Sequence, residues 1–157
     1  MIGLGDLVKG SGNQIKGKFT RVEGDNNVAE GDRNKIWGSQ NGVKGDEVII
    51  SGNRNMNIGN RNQIHGDLNQ LKGDRTVIVG QRNIARGSEG IISGNDNKMH
   101  GHRNRLYGDE NVVSGHKNTL KGDDNKIVGH VNCVDGSGNK ILGRKNCVKG
   151  DENVILG

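Results

Sequence analysis

The chain has 157 residues, enough for one domain over 1–157, with 29% hydrophobic and 2% aromatic residues and a mean hydropathy of −0.77. Such values are common in disordered chains, but glycine at every seventh position excludes disorder, and the period and the lack of proline exclude collagen. The net charge of +5 is mild, because 23 basic residues are mixed with 18 acidic ones, and it allows a nucleic-acid or membrane-surface partner without indicating one.

The N-terminal stretch MIGLGDLVKG lacks the basic segment and apolar run of a signal peptide. No stretch of the sequence is apolar enough and long enough to cross a bilayer, so no membrane insertion is expected. These observations predict a cytoplasmic protein if the chain is full length, and they leave the localisation open otherwise.

A seven-residue unit runs from Gly3 to Gly157 without an insertion or deletion. Asn follows the glycine by three positions in most units, and an apolar residue follows it by five in every unit except the one with Asn57. A coiled coil needs two apolar positions per heptad, and each glycine would cost a helix about 1 kcal/mol. Because the apolar residues are mostly Ile and Val, each Gly-x-x-Asn-x-aliphatic-x unit predicts a short strand.

Alternate units differ, which reveals a longer period. The units that begin at Gly3, Gly17 and every fourteenth residue thereafter are called odd, and those between them even. Every exception at the Asn position is in an odd unit: Asp6, Thr20, Val48, Thr76 and Gly90. The weak apolar positions are all in even units: Ala29, Asn57 and Ala85. The pattern predicts an all-β, two-sided parallel β-solenoid of about eleven 14-residue coils, each made from two units.

The Asn and the aliphatic residue are two positions apart, so they point to the same side of a strand. We expect both to face inward, where the aliphatic side chains stack as a core and the amides form a hydrogen-bonded ladder. The ladder is represented by Asn27, Asn55, Asn83, Asn111 and Asn139. Glycine, Asn and the aliphatic residue are therefore scaffold, and the fourth and sixth positions after each glycine face outward.

Units such as SGNQIKG at Ser11 and GDDNKIVG at 122–129 resemble the ice-recrystallisation-inhibition β-roll of cold-tolerant grasses, and the resemblance covers the whole chain. It implies a two-sheet β-roll with an Asn ladder, and ice binding by one flat outward face rich in Thr, Ser and Val. The candidate flat face contains Ile49, Val77, Val79 and Ile91. Elsewhere the outward positions carry many long charged side chains, and Thr119 is the one threonine among them.

The second position after glycine separates charge between the two edges of the predicted solenoid. In odd units it is mainly basic, interrupted by Glu47 and Glu89: Arg33, Arg61, Arg75, Arg103, Lys117 and Lys145. In even units of the C-terminal half it is acidic: Asp96, Glu110, Asp124 and Glu152. This predicts a homo-oligomer formed edge to edge, or docking on an acidic surface, and simple solvation of the turns is the alternative. A repeat without a distinct terminal cap predicts end-to-end stacking, or flanking segments outside this chain.

Three histidines, His102, His116 and His130, follow odd-unit glycines in successive coils and are weak candidates for metal ligands. A solvated turn column is the alternative reading, and neither a metal nor a cofactor is predicted. The frequent Asp after glycine predicts turn capping rather than calcium binding. Cys133 and Cys147 occupy the same outward position of the repeat in two successive coils. We expect them to be two reduced thiols at the surface.

Neither a nucleophile with its base nor a deep cleft is expected, so the chain is predicted not to be an enzyme. Its aromatic residues, Phe19, Trp37 and Tyr107, are too scattered to stack nucleic-acid bases. The predicted function is a non-catalytic, self-associating scaffold or binding rod that presents flat faces and charged edges. Ice binding, implied by the resemblance, is the alternative.

Overall fold

The computed structural model describes residues 7–10, 14–16, 21–24, 28–31, 35–38, 40 and 42–157, and its regular elements there are three-residue strands. The odd units form sheet A from β1 (Leu7–Lys9), β3 (Arg21–Glu23), β5 (Lys35–Trp37), β7 (Ile49–Ser51), β9 (Gln63–His65), β11 (Val77–Val79), β13 (Ile91–Ser93), β15 (Arg105–Tyr107), β17 (Thr119–Lys121), β19 (Cys133–Asp135) and β21 (Cys147–Lys149). The even units form sheet B from β2 (Gln14–Lys16), β4 (Val28–Glu30), β6 (Gly42–Lys44), β8 (Met56–Ile58), β10 (Gln70–Lys72), β12 (Ile84–Arg86), β14 (Lys98–His100), β16 (Val112–Ser114), β18 (Lys126–Val128), β20 (Lys140–Leu142) and β22 (Val154–Leu156).

Successive strands alternate between the two sheets, and each strand pairs in parallel with the strand two further along the chain. Ile78 lies between Ile64 and Ile92, so the register advances by one 14-residue coil at each step. The predicted two-sided parallel β-solenoid is therefore confirmed, with eleven strands in each sheet. At about 4.8 Å per strand the rod is roughly 50 Å long.

From β5 to β21 the middle residue of each strand points into the rod and builds a narrow core. From Ile36 onward, sheet A contributes a column of Ile, Leu and Val side chains, and sheet B a more varied column that includes Ala85 and Met99. Ile50, Ile78 and Ile127 have no exposed surface. Gly90 leaves space that Met99 occupies, because a Cβ at Gly90 would be 2.9 Å from the Met99 Cε atom. Burial of such side chains, at about 1.5–3 kcal/mol each, drives folding.

The recurrent glycine is required because the turns of successive coils stack in contact. Gly87 has a φ of 155°, and a Cβ there would overlap the carbonyl oxygen of Gly73 in the preceding coil. Its amide donates to the carbonyl of His100 in the following coil at 2.9 Å. The seven-residue period of glycine is therefore a steric requirement of stacking the coils.

The inward Asn side chains bond mainly to backbone groups of the neighbouring coil. In the even units, the amide N–H of Asn83 donates to Oδ1 of Asn97, and that of Asn97 to Oδ1 of Asn111, both at 2.8 Å. Within the described residues the column runs from Asn55 to Asn153, and Asn27, which was predicted to belong to it, lies outside them. In the odd units, by contrast, Thr76 and Gly90 have no side-chain amide at this position. Odd units accept other residues at the Asn position, and even units accept weaker residues at the core position. The two unit types differ in this way because they form the inner sides of two different sheets.

Asn57 is the one described polar residue in the core position of a strand, and it is 1% exposed. It lies between Val43 and Leu71 in sheet B. Its Oδ1 accepts a hydrogen bond from Nδ2 of Asn62 at 2.7 Å, whereas its own Nδ2 has no partner among the described residues. An amide therefore replaces an aliphatic side chain here at the cost of a buried, unpaired donor.

Candidate functional site

Four neighbouring strands of sheet A, β7, β9, β11 and β13, carry no Lys, Arg, Asp or Glu on their outer face. Their eight outward residues are called the Val77 patch: Ile49, Ser51, Gln63, His65, Val77, Val79, Ile91 and Ser93. Val77, Val79 and Ile91 are 36%, 42% and 37% exposed, so aliphatic side chains face solvent at its centre. The patch is an uncharged, partly apolar surface within an otherwise charged protein.

The patch consists of two straight columns. Ile49, Gln63, Val77 and Ile91 are successive register partners in the first column. Ser51, His65, Val79 and Ser93 form the second. Because the strands are in parallel register, side chains repeat at about 4.8 Å along each column, and the columns are roughly 7 Å apart. Such an array repeats regularly and is held by the sheet's own hydrogen bonds.

The structure brings together all four residues that the sequence predicted for a flat face, namely Ile49, Val77, Val79 and Ile91. It adds Ser51, Gln63, His65 and Ser93, which fill the positions between them. The signal for these four was present in the sequence as an uninterrupted run of outward positions without a charged residue. Bulkier groups flank the patch: Trp37, whose ring lies 4.8 Å from the Arg21 guanidinium carbon, and Tyr107 with Arg105.

The odd edge, formed by the turns that precede the strands of sheet A, is less uniformly basic than its arginines suggest. Arg61 pairs with Glu47 at 3.2 Å, and Glu89 pairs with Arg75 at 3.2 Å and with Arg103 at 3.4 Å. All of these side chains are solvent-exposed, so each pair contributes at most about 1 kcal/mol. Arg33 lies outside the described residues. The basic groups of this edge without an ion pair among the described residues are Lys117, Arg144 and Lys145.

The opposite, even edge is acidic in its C-terminal half. Its exposed carboxylates lie at the first and second positions of the turns: Asp96, Asp109, Glu110, Asp123, Asp124, Asp151 and Glu152. Over the same coils the odd edge carries Lys117, Arg144 and Lys145. The C-terminal half of the rod therefore has oppositely charged edges.

The imidazoles of His102, His116 and His130 stack along the odd edge with centroids 5.1 and 5.2 Å apart and planes within 7°. Parallel stacked rings do not converge on a common point, as the ligands of one metal ion must. Nδ1 of His130 accepts a hydrogen bond from the Arg144 amide at 3.2 Å. Among the described residues, no group of three or more His, Cys, Asp or Glu side chains is arranged to hold a metal ion.

The turn aspartates bond to the amide of the next coil. Oδ1 of Asp67 accepts from the Gln81 amide at 2.7 Å, and Oδ1 of Asp109 from the Asp123 amide at 2.8 Å. Asn95 bonds to the Asp109 amide in the same way at 2.9 Å. These side chains cap turn N–H groups that the narrow coil cannot otherwise pair.

Cys133 and Cys147 are register partners on sheet A, and both are free and exposed. A hydrogen bond with the Cys147 thiol raises the pKa of the Cys133 thiol, with smaller contributions from burial and from the charge of the Cys147 thiolate. A raised pKa lowers the fraction of reactive thiolate near neutral pH. The Cys133 thiol therefore differs from a catalytic cysteine, whose pKa is lowered.

The described residues contain no helix of the length and apolarity required to span a bilayer. The fold and the surfaces above define a parallel β-solenoid repeat protein with a patch on one sheet that lacks Lys, Arg, Asp and Glu. A family model described as the grass antifreeze beta roll matches residues 3–94 and again residues 83–157, and the chain belongs to that family. Neither the curated proteins nor the solved structures contain a significant match.

Proposed function

We propose that the protein is a non-catalytic ice-binding protein that inhibits ice recrystallisation through the Val77 patch. The observation that carries the proposal is the charge-free double column of eight side chains on β7, β9, β11 and β13. Membership of the grass antifreeze beta roll family supports the same activity.

The physical reason lies in the regularity of the patch. Ice is a lattice, so a surface that orders water against it must be flat and must repeat its groups at constant intervals. Strand register supplies the repeat, and the alternation of Val and Ile with Ser, Gln and His supplies apolar surface beside hydrogen-bonding groups. A long charged side chain would raise the surface and bind its own hydration shell, which explains why the absence of charge matters.

The test is an ice-recrystallisation assay on the intact chain and on the double variant Val77→Lys/Val79→Lys. The intact chain is expected to keep ice grains small at micromolar concentration. The variant should need about tenfold more protein or worse, because it places two ammonium groups at the centre of the contact. Both positions are exposed, so the fold should survive, which circular dichroism would check.

A matched control makes the same change on the other sheet. Ile58→Lys/Ile84→Lys alters two exposed aliphatic residues of sheet B, which are 47% and 39% exposed, and should leave ice activity intact. Absence of activity in the intact chain would refute the proposal. Equal loss in both variants would refute the assignment to the Val77 patch.

A second candidate function is a self-associating scaffold in which rods align side by side. The observation that favours it is the charge separation across the C-terminal half, with Lys117, Arg144 and Lys145 on the odd edge and seven carboxylates on the even edge. Such association would be electrostatic and would disappear as salt screens the edges. Sedimentation velocity at low and high salt separates this candidate from a rod that acts alone on ice.

A further inference from the structure

The outer face of sheet B carries charges of one sign along most of its length. From Gly42 to Leu156 its outward positions carry cations and no carboxylate: Lys44, Lys72, Arg86, Lys98, Lys126 and Lys140. All six are exposed, and none forms an ion pair within the described part of the chain. Over the same coils, sheet A includes Asp135 on its outer face.

Exposed aliphatic side chains alternate with these cations. Their exposed fractions are high: Met56 54%, Ile58 47%, Ile84 39%, Leu142 50%, Val154 48% and Leu156 60%. Both kinds of side chain project from the same plane, because both occupy the outward positions of one sheet. The face is therefore cationic and apolar at once along most of the rod.

Shallow grooves lie between the two outward columns of this face. One of about 470 Å³ has Ile84, Arg86, Lys98 and Val112 in its walls. Another of about 310 Å³ adjoins it and shares Ile84 and Arg86. A third, of about 170 Å³, lies towards the C-terminal end between Lys126, Lys140, Leu142 and Leu156. Each groove is lined by both aliphatic and cationic side chains.

We propose that the outer face of sheet B, residues Gly42 to Leu156, docks on the surface of an anionic lipid bilayer. The cations would contact headgroup phosphates, and the aliphatic side chains would enter the boundary between headgroups and acyl chains. The long lysine stems allow both contacts together, since their apolar stems can lie in the interface while the ammonium groups remain at phosphate level. The Val77 patch on the opposite sheet would then face away from the membrane.

A bilayer fits this face better than a soluble polyanion. A nucleic-acid strand would use aromatic side chains as stacking platforms, and the outward positions of sheet B from Gly42 to Leu156 contain no Phe, Tyr or Trp. An acidic polysaccharide would pair with the cations but would leave the aliphatic residues in water. Only a lipid interface accommodates both sets of side chains, and it is planar, as the sheet is.

The test uses the intact chain and vesicles of phosphatidylcholine, either alone or with added phosphatidylglycerol, in a co-sedimentation assay at low salt. Binding is expected only to the anionic vesicles. The triple variant Lys72→Gln/Arg86→Gln/Lys98→Gln should bind about a hundredfold more weakly, because each cation near an anionic surface contributes roughly fivefold. The control Arg105→Gln/Lys121→Gln/Lys149→Gln removes the same charge from sheet A and should retain most of the binding.

A separate variant tests the contribution of the aliphatic side chains to membrane binding. Ile58→Ser/Leu142→Ser should lower binding to anionic vesicles, whereas Val77→Ser/Val79→Ser on sheet A should not. Failure to bind phosphatidylglycerol vesicles would overturn the proposal, and so would equal loss in the two triple variants. Unchanged binding by Ile58→Ser/Leu142→Ser, together with equally tight binding of soluble polygalacturonate, would assign the face to a polyanion instead. Thermal unfolding of each variant would confirm that the rod is intact.

Discussion

At the scale of single residues, the most unusual feature is the second residue of each described turn. These residues have φ values between 55° and 68°, in the left-handed region, and only Gly138 among them is glycine. Backbone bonds between coils hold the conformation, as where the Val131 amide donates to the Arg144 carbonyl at 3.1 Å. Val131 is the clearest case of strain, because a β-branched residue tolerates a φ of 60° poorly.

Replacing Val131 should therefore stabilise the protein. Val131→Asn keeps the amide bond and introduces a side chain that tolerates the left-handed region, so the free energy of unfolding should rise by about 1 kcal/mol. The same change at Val79, which lies in a strand and is similarly exposed, should lower it by about 0.5–1 kcal/mol. Urea unfolding measures both variants. A fall for Val131→Asn would show that the turn is not strained.

At the scale of the elements, strand and turn impose opposite demands on glycine. Gly87 lies in a stacked turn with a positive φ, where a Cβ would overlap the Gly73 carbonyl. Gly42 occupies an outward strand position of β6, where a Cβ would have no atom within 4 Å. The first glycine is required by the stacking of coils, whereas the second only adds freedom to the unfolded chain.

Two alanine variants distinguish these roles. Gly42→Ala should raise the free energy of unfolding by about 0.4–1 kcal/mol, because it restricts the unfolded chain without a contact cost. Gly87→Ala should lower it by at least about 2 kcal/mol, because the turn must move away from its neighbour. Native-state hydrogen exchange should place the loss of protection in the coils next to Gly87. Similar effects of the two variants would contradict this steric account.

At the scale of the whole molecule, the rod presents four long surfaces of different chemistry. Sheet A has the uncharged Val77 patch, sheet B is cationic and apolar, and the two edges of the C-terminal half are oppositely charged. A solenoid can keep these surfaces distinct because each position of the repeat always lies on the same side of the rod. A substitution at that position therefore changes one surface only. Ice, a membrane and a second copy could each use a different side.

The edge charges predict salt-dependent association. The intact chain should sediment as oligomers at low salt and as a monomer at 300 mM salt, where the Debye length is only about 6 Å. Lys117→Glu/Arg144→Glu/Lys145→Glu should remain monomeric at low salt, because both edges are then acidic. Arg105→Glu/Lys121→Glu/Lys149→Glu makes the same net change on sheet A and should still associate. A monomeric intact chain at low salt would exclude the scaffold candidate.

Much of the architecture was predictable because the repeat has no insertions. The glycine period predicted the turns, and the exceptions Val48, Thr76 and Gly90 predicted two kinds of unit, which the two sheets confirm. The charge pattern was harder to interpret. Reading only the second turn position suggested a basic odd edge, whereas the structure places Arg61 beside Glu47 and both Arg75 and Arg103 beside Glu89.

The sequence by itself determined the coil, its register and the inward or outward direction of each strand residue, because the seven-residue period defines the units and the differences between odd and even units make two of them one coil. Tertiary stacking decided which side chains make contact across the core and between the turns. It allowed Met99 to occupy the space left by Gly90, and it brought the Arg61 side chain within 3.2 Å of Glu47. These contacts join residues 14 positions apart or on opposite sheets, so they depend on how coils pack rather than on the repeat within any one unit.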